Sequence, residues 1–167
     1  MKVILETKRL ILRKMTNDDF SSLKKVINSD DGYTQKWIDW CLDSYRRYGF
    51  GHYAVIYKES REMIGSIGIS MQIIDDSLKP EIGYHLREDY RHQGLAKEAA
   101  LMLEDYFFNN FDYDEVYSYM LKDNVPSYKT AEAIGMKYLH NYVDKKGNDC
   151  RVYCLTRQDW LYKKKRS

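Results

Sequence analysis

A basic segment that contains a glycine offers the clearest chemistry in this sequence. Arg91, His92 and Lys97 lie around Gly94, and an apolar stripe with helical spacing begins at Leu95. The first backbone N–H groups of a helix have no intrahelical partner and lie at the positive end of the helix dipole. Glycine lets a ligand approach the main chain closely. The segment therefore predicts a site for a phosphate or pyrophosphate group.

Two widespread phosphate-binding motifs do not fit this segment. It lacks the second glycine of G-x-G-x-x-G, and it lacks the G-K-[ST] ending of a P-loop. A basic helix cap without a ligand is the structural alternative to a phosphate site at this point.

Two candidate proton acceptors, Glu81 and His85, precede the basic segment. They alternate with the apolar residues Ile82, Tyr84 and Leu86, a period-two pattern that is typical of a strand with two differently used faces. Both candidates then fall on one face of the strand. Each also has a structural interpretation, because Glu81 could be a surface carboxylate that opens the strand and His85 could be packed in the core.

The surrounding patterns give an order of elements that would position this strand and helix. An extended N-terminal segment precedes two helices, three antiparallel strands lead to the long helix at Gly94, and a strand, a short helix and a hairpin follow. Thr16 is predicted to cap the first helix, with Asp19 in the reciprocal capping position. The predicted segments are Lys2–Met15, a helix after Thr16, a helix through Trp37 and Tyr48, His52–Tyr57, Met63–Ile74, a strand from Glu81 to near Arg87, a helix from Gly94, Glu115–Met120, Ser127–Ile134, Met136–Val143 and Arg151–Arg157.

Composition limits the class of protein. A chain of 167 residues with 44% hydrophobic and 31% charged residues is typical of one soluble globular domain, here predicted over residues 1–167. No apolar run is long enough to span a bilayer and the N-terminus lacks signal-peptide features, so a cytoplasmic location is expected. The net charge of +2 is too small to indicate nucleic-acid binding, and the basic tail Lys163–Arg166 is expected to be solvated.

The three cysteines do not indicate a metal or a disulfide framework. Cys41, Cys150 and Cys154 are odd in number and have neither C-x-x-C nor histidine spacing. Buried thiols are the expected arrangement, and no metal is predicted.

Several motifs together resemble one enzyme family. Arg91–Ala96, R-H-Q-G-L-A, resembles the R/Q-x-x-G-x-G/A signature by which GCN5-related N-acetyltransferases (the GNAT family) hold the pyrophosphate of acetyl-CoA. Asn124–Met136 is similar to the N-x-x-S, helix and G-F of that family, with Met136 where Phe is usual. E-T-K-R-L-I-L-R and E-I-G-Y-H-L resemble the RimJ/RimL branch, whose members acetylate ribosomal-protein N-termini or small amines. The resemblance covers nearly all of Leu5–Arg157.

The resemblance implies a fold and a cosubstrate. The fold is α/β (α+β), the GNAT fold, with a mixed sheet of about six to seven strands, splayed central strands and helices on both faces. Acetyl-CoA is expected between the strands that begin at Glu81 and Glu115. The cofactor-binding residues that the resemblance implies are Leu86, Arg87, Arg91, His92, Gln93, Gly94, Leu95, Ala96, Lys97, Asn124 and Ser127.

Acetyl transfer to an amine also requires a proton acceptor and a hydrogen-bond donor to the oxyanion. An amine with a pKa near roughly 10 is mostly protonated at neutral pH, so a base or a water relay must take its proton. Glu81 is the first candidate base and His85 the second. A backbone N–H in the Glu81 strand is the candidate donor to the oxyanion.

The CoA thiolate leaves more easily if a donor protonates it. Many family members place a tyrosine seven residues after the asparagine, and that position is Ala131 here. The role therefore passes to Ser127, with Tyr128 as the weaker candidate because it is one residue out of phase. Ser127 could instead cap the helix that follows it.

The second helix carries a wide aromatic stripe that includes Trp37, Trp40, Tyr45 and Tyr48. Such a stripe is more often core than ligand site, so it is expected to be mainly buried. The ends of the two N-terminal helices are still expected to edge the acceptor cleft.

The function expected from the sequence is acetyl-CoA-dependent N-acetyl transfer by direct attack of a primary amine. The acceptor is either a protein N-terminal α-amine or a small amine. A non-catalytic acyl-CoA-binding or interaction module with the same fold is the alternative, since the usual tyrosine is missing. Neither nucleic acid nor a membrane is an expected partner, and a homodimer is possible.

Overall fold

Alternating and helical apolar patterns build a sheet and five helices in the computed structural model of the chain, which describes residues 2–167. The strands of this part are β1 (Val3–Glu6), β2 (Leu10–Lys14), β3 (His52–Tyr57), β4 (Met63–Ile74), β5 (Ser77–Leu86), β6 (Glu115–Leu121), β7 (Lys137–Val143) and β8 (Asp149–Thr156). The helices are α1 (Phe20–Ile27), α2 (Asp31–Tyr48), α3 (Leu95–Asn110), α4 (Val125–Ala133) and α5 (Arg157–Lys165).

The strands form a mixed sheet, as predicted. Within the described residues its eight strands follow the order β1-β2-β3-β4-β5-β6-β8-β7. The first three neighbouring pairs are antiparallel, as are β6 with β8 and β7 with β8, whereas β5 is parallel to β6.

The number of strands is one more than the sequence predicted. The segment 2–15, predicted as a single extended strand, is the antiparallel pair β1 and β2. The backbone N–H of Thr7 donates to the carbonyl of Leu10 at 2.9 Å and closes the turn between them. The turn E-T-K-R contains no glycine, proline or asparagine, so nothing in its composition marks a reversal.

The Cα positions group into two compact units. The first contains the chain up to Ser70 together with Gly83–Tyr106, and the second contains Met71–Ile82 together with Phe107–Ser167. The first unit has its own buried apolar side chains, which include Leu10, Leu12, Leu23, Ile38, Val55, Ile64, Ile67, Leu95, Ala99 and Leu103. The second has another set, which includes Ile74, Ile82, Phe107, Val116, Val152, Tyr153, Leu155 and Trp160.

The capping pair predicted at Thr16 and Asp19 forms, but it opens a 3-10 turn, and the N-cap of α1 itself is Asp19. Asp19 accepts a hydrogen bond from the backbone N–H of Thr16 at 2.8 Å, and Arg13 forms an ion pair with the same carboxylate at 2.6 Å. A short 3-10 turn, Asn17–Asp19, leads directly into α1. The carboxylate therefore joins the strand β2 to the start of the helix.

The C-terminal segment is a helix that the sequence did not predict. Trp160 of α5 is buried, with its ring centroid 5.3 Å from that of Phe108. Lys163 Nζ donates to the carbonyl of Ile134 at 2.7 Å. The expectation of a wholly solvated basic tail was therefore wrong for its first residue, which anchors the helix in the second unit.

All three cysteines are free and buried, as predicted. Desolvation raises the pKa of Cys41 to about 12 and that of Cys154 to about 11. Along residues 2–167, no helix has the length and apolarity to cross a membrane.

Candidate active site

The turn that precedes α3 has left-handed backbone at two positions. The φ angle is 61° at His92 and 76° at Gly94, and Leu95 begins α3 as the apolar stripe predicted. Left-handed residues in such turns direct successive N–H groups into a concavity that accepts anions. A Cβ atom built on Gly94 would have Arg9 Nη2 as its nearest neighbour, at 3.7 Å. The turn has the backbone form and the approach that a phosphate group requires.

Arg9 holds this turn by hydrogen bonds to its backbone and to the first turn of α3. The sequence analysis did not identify this residue. Its Nη1 donates to the carbonyl of Gln93 at 3.0 Å, and its Nε donates to Glu98 in the first turn of α3 at 2.7 Å. Glu98 also accepts from the backbone N–H of Arg9 at 2.8 Å and from the Thr7 hydroxyl at 2.6 Å. Desolvation opposes ionisation of Glu98, but these hydrogen bonds outweigh it and lower its pKa. The Arg9 guanidinium therefore fixes the direction of the Gln93 carbonyl within the turn.

Only the E-T-K-R-L motif could have pointed to Arg9. Its role depends on Glu98, which lies 89 residues further along the chain. A sequence pattern does not report such a distant ion pair.

The predicted cofactor-binding residues next to this turn differ in what they offer a ligand. Arg91 and Lys97 are exposed, and Arg91 Nε donates to the carbonyl of Leu86 at 3.1 Å. Leu86 and Leu95 are buried, so their backbone groups rather than their side chains are available. Ala96 is half-buried at the start of α3.

Arg87 is engaged with acidic side chains. Its guanidinium lies 2.7 Å from the carboxylate of Asp89 and 3.3 Å from that of Glu62. These contacts raise the pKa of Arg87, with the hydrogen bond to Asp89 as the main cause. Its charge is therefore partly balanced within the protein.

Glu81 is a buried carboxyl group in the second unit. It is 9% exposed, lies opposite Tyr117 in the parallel pairing of β5 with β6, and accepts from the backbone N–H of Tyr119 at 3.3 Å. Desolvation raises the pKa of Glu81 to about 8, and the Tyr119 hydrogen bond opposes this shift only in part. The interpretation of Glu81 as a surface carboxylate was wrong, and its pKa is that of a group able to take and release a proton near neutral pH.

His85 is exposed, so the interpretation of a packed core histidine was wrong. Its ring stands edge-on to Trp37, with 4.9 Å between the centroids. Desolvation by the surrounding protein, together with the charge of Arg91, lowers the pKa of His85. The imidazole is therefore neutral at physiological pH and able to accept a proton or a hydrogen bond.

Asn124 and Ser127 form a local pair at the start of α4. Asn124 is the N-cap, and its Oδ1 accepts from the backbone N–H of Ser127 at 3.4 Å. The hypothesis that Ser127 caps the helix was wrong, because Asn124 has that role. Ser127 is half-buried, and Ala131 is fully buried.

The ring of Tyr128 packs against the guanidinium of Arg151. Tyr128 is the weaker candidate proton donor to the CoA thiolate. The guanidinium of Arg151 is 4.5 Å from its ring centroid. This contact occupies one face of the ring and positions the side chain on the second unit.

The structure thus gathers the predicted residues into local groups. The first unit holds the turn at Gly94 with Arg91 and Lys97, and it also holds His85. The second unit holds Glu81, and the pair formed by Asn124 and Ser127.

Known proteins share the sequence pattern and the fold of the chain. The family profile described as acetyltransferase (GNAT) domain matches residues 9–137. The uncharacterized N-acetyltransferase p20 of Bacillus licheniformis is 28% identical, over 91% of this chain and 94% of p20.

Two solved structures superpose along nearly the whole length. An acetyltransferase from Agrobacterium tumefaciens strain C58 has a TM-score of 0.80 and 27% identity, covering 92% of this chain and 94% of its own. The ribosomal L7/L12 alpha-N-protein acetyltransferase RimL, solved in complex with coenzyme A, has a TM-score of 0.78 and 16% identity, covering 93% of this chain and 98% of its own.

Proposed function

Because the chain belongs to the GNAT family of acetyltransferases and has that family's fold, we propose that it transfers the acetyl group of acetyl-CoA to the nitrogen of a primary amine. The chain is an acyltransferase. The proposal adds the cosubstrate, the nucleophile and the residues that act on them.

The observation that carries the proposal is the turn at Gly94. Its two left-handed residues, the start of α3 and the exposed cations Arg91 and Lys97 suit a doubly charged pyrophosphate. The proposal assigns the backbone of residues 91–97 to the pyrophosphate of acetyl-CoA. The structure of RimL in complex with coenzyme A supports the choice of cosubstrate.

The chemical step is a direct attack. The amine nitrogen forms a bond to the thioester carbonyl carbon, the carbon–sulfur bond breaks, and the sulfur leaves with the electron pair. Glu81 takes the proton that the amine loses, either directly or through water, and the raised pKa of its buried carboxyl suits this role near pH 8. His85 is the alternative base. A backbone N–H of β5 stabilises the oxyanion of the tetrahedral intermediate.

The leaving thiolate needs a proton donor. The proposal assigns this role to Ser127, which precedes the buried Ala131 where related enzymes have a tyrosine. Asn124 is assigned to the pantetheine arm, following the resemblance of N-V-P-S to the family motif.

Two classes of acceptor suit the proposal, a protein N-terminal α-amine and a small amine. The RimJ/RimL-like motifs and the fold shared with RimL support the first.

An assay of acetyl transfer tests the function. The purified chain is mixed with acetyl-CoA and single amines, and both CoA thiol release and the acetylated amine are measured, the latter by mass spectrometry. We expect thiol release that depends on the amine and matches the product in amount. If calorimetry shows that coenzyme A binds while no amine is acetylated, the chain is a non-catalytic acyl-CoA-binding module and the proposal fails.

A further inference from the structure

Five rings of the first unit form a continuous cluster. Trp37 lies at its centre, with its ring centroid 6.1 Å from Tyr33, 5.4 Å from Trp40, 5.7 Å from His52 and 4.9 Å from His85. Trp40 and His52 are 5.1 Å apart. The cluster joins residues 33–40 of α2 to β3 and to the part of β5 that belongs to the first unit, so a helix and two strands build it.

Four of the five rings of the cluster, all except the buried His52, are more accessible than Tyr45 of the same helix. Tyr45, in the C-terminal half of the helix, is buried, as the sequence predicted for the whole stripe. Tyr33 is 52% exposed, Trp37 and Trp40 are half-buried, and His85 is exposed. The prediction of a core stripe therefore holds for Tyr45, whereas Trp37, Trp40 and Tyr48 are only half-buried and Tyr33 presents an exposed ring to a ligand.

A buried hydrogen-bond chain fixes the centre of the cluster. Trp37 Nε1 donates to the Ser66 hydroxyl oxygen at 3.1 Å, and that oxygen lies 3.3 Å from His52 Nδ1. Because the indole N–H can only donate, the Ser66 hydroxyl is free to donate its own proton to His52. Ser66 is fully buried. Trp37 is therefore held in one orientation before any ligand arrives.

The cluster is aromatic and carries no net charge at neutral pH. Desolvation lowers the pKa of His52 to about 3, and the pKa of His85 is lowered as well, so both imidazoles are neutral. Asp39, which lies between the tryptophans in sequence, is exposed and accepts from Gln35 at 2.9 Å along α2. The five rings offer a polycation favourable ring faces, but no carboxylate is among them to pair with each further charge.

We infer that this ring cluster is the acceptor site of the proposed transferase, and that the acceptor is a small primary amine carried on a flat aromatic group. The inference rests on the proposed function. The aromatic group packs against Trp37 and Trp40 with the offset or edge geometry that aromatic rings prefer. The amine lies near the neutral imidazole of His85, which accepts a hydrogen bond from it.

A binding measurement tests the aromatic preference without turnover. Trp160, the third tryptophan of the chain, is buried in the second unit, and its change to phenylalanine leaves Trp37 and Trp40 as the source of indole fluorescence. In this background, 2-phenylethylamine is compared with 2-cyclohexylethylamine, which has a similar shape but no aromatic ring, and with spermidine. We expect the aromatic amine to bind about fivefold or more tightly than either.

Variants of Trp37 test the location. Trp37→Leu should raise the KM for 2-phenylethylamine by about tenfold or more and leave the KM for acetyl-CoA unchanged, and Trp37→Phe should restore most of the loss. Tyr162→Leu is the matched control, because Tyr162 is an aromatic residue of α5 that is 60% exposed. If Trp37→Leu does not fold, Trp40→Leu and Trp40→Phe provide the same comparison at the neighbouring ring of the cluster.

The outcomes separate this inference from the proposed function. Equal binding of the aromatic and cyclohexyl amines, or an unchanged KM in Trp37→Leu, overturns the aromatic acceptor. Acetylation of spermidine or of a peptide α-amine with higher kcat/KM than the aromatic amine also overturns it, while acetyl transfer itself stands. If no amine is acetylated, the proposed function fails instead.

Discussion

Glu81 presents a carboxyl group that the second unit has almost removed from water. Its pKa of about 8 means that at neutral pH most molecules carry a protonated Glu81, which does not act as a base. We therefore expect kcat/KM for the amine to rise steeply with pH up to about pH 8 and less steeply above it. Deprotonation of the free amine accounts for the second limb, so kcat/KM levels off only above the pKa of the acceptor itself.

Replacing the carboxyl group of Glu81 distinguishes the two limbs of the pH profile. Glu81→Gln should lower kcat by about 10²-fold or more and remove the limb near pH 8, while the dissociation constant of coenzyme A stays within about twofold of wild type. Glu59→Gln is the control, because Glu59 is an exposed glutamate in the turn between β3 and β4. A wild-type rate for Glu81→Gln at neutral pH would exclude Glu81 as the base.

The same carboxyl group makes the stability of the protein depend on pH. A glutamate in the unfolded chain titrates near its ordinary pKa, whereas folded Glu81 keeps its proton up to about pH 8. Its contribution to the free energy of unfolding is therefore fully present below the unfolded pKa and is lost as pH rises through about 8. Each pKa unit between the folded and the unfolded carboxyl group corresponds to about 1.4 kcal/mol. The loss in the free energy of unfolding is therefore on the order of a few kcal/mol.

Urea unfolding at about pH 6 and about pH 9 measures this loss. We expect wild type to lose more stability over this range than Glu81→Gln, whose amide does not titrate. Equal losses in the two proteins would mean that the carboxyl group is not buried in the way described.

Single residues show how far sequence reasoning extends at this scale. Strand alternation identified Glu81, but the backbone N–H that donates to its carboxylate belongs to Tyr119, 38 residues away. Ser127 was given a capping role that belongs to Asn124, because both residues have side chains that cap helices. Exposed His85 was equally compatible with a core position, since alternation assigns a face and does not say what covers it.

Among the elements, the turn before α3 is the one whose backbone form matters most. Gly94 and Gly147 have similar left-handed φ angles of 76° and 81°, so an alanine at either position costs about 1–2 kcal/mol of strain. Only Gly94 belongs to the proposed pyrophosphate turn. We expect Gly94→Ala to raise the dissociation constant of coenzyme A about tenfold and Gly147→Ala to leave it unchanged, with similar losses of thermal stability.

Calorimetric titration of coenzyme A into both variants makes this comparison. If the two alanine variants bind coenzyme A equally well, the turn does not hold the pyrophosphate. The two glycines are matched in φ, so the strain of a left-handed alanine does not by itself explain a difference between them.

The ion pair of Arg9 with Glu98 holds the same turn. Arg9→Met removes the donor to the Gln93 carbonyl, so the turn should lose part of its fixed form in the absence of ligand. We expect the KM for acetyl-CoA to rise by about tenfold and kcat to change by less than about twofold, because the loss falls on binding. Lys8→Met, at the exposed neighbouring residue, is the control. Steady-state kinetics at several acetyl-CoA concentrations measure both constants, and a fall in kcat at unchanged KM would contradict the positioning role.

Elements with a strong apolar period could be predicted, and elements without one could not. The stripe beginning at Leu95 predicted α3 correctly, and alternation predicted most of the strands. Helix α5 carries a single buried residue, Trp160, among charged neighbours, so it has no stripe for a sequence pattern to show. Its position depends instead on tertiary contacts, such as that of Lys163 with the Ile134 carbonyl.

For the whole molecule, the mixed sheet and the fold class followed from the order of elements and from the family motifs. The division of the Cα positions into two compact units did not, because β4, β5 and α3 each contribute residues to both units. Continuous sequence patterns contain no sign of such a division. The ring cluster was also missed as a site, since His85, one of its two histidines, comes from a strand far from α2 in sequence.

The buried cysteines make the native chain slow to react with thiol reagents. The thiolate is the reactive form, and desolvation disfavours it, most strongly at Cys41 and Cys154. Modification of the native protein by a disulfide reagent should therefore require local opening. We expect all three thiols to react quickly in denaturant and slowly in buffer, as followed by absorbance of the released chromophore. Rapid reaction of one thiol in buffer would contradict its burial.

The slow reaction of the buried thiols has two practical consequences. The protein should add almost no background to a colorimetric assay that counts newly liberated coenzyme A sulfhydryls. Cys41 belongs to the first unit and Cys150 and Cys154 to the second. Mass spectrometric mapping of partially labelled chains would therefore measure the rate of local opening in each unit separately. No engineered probe is needed.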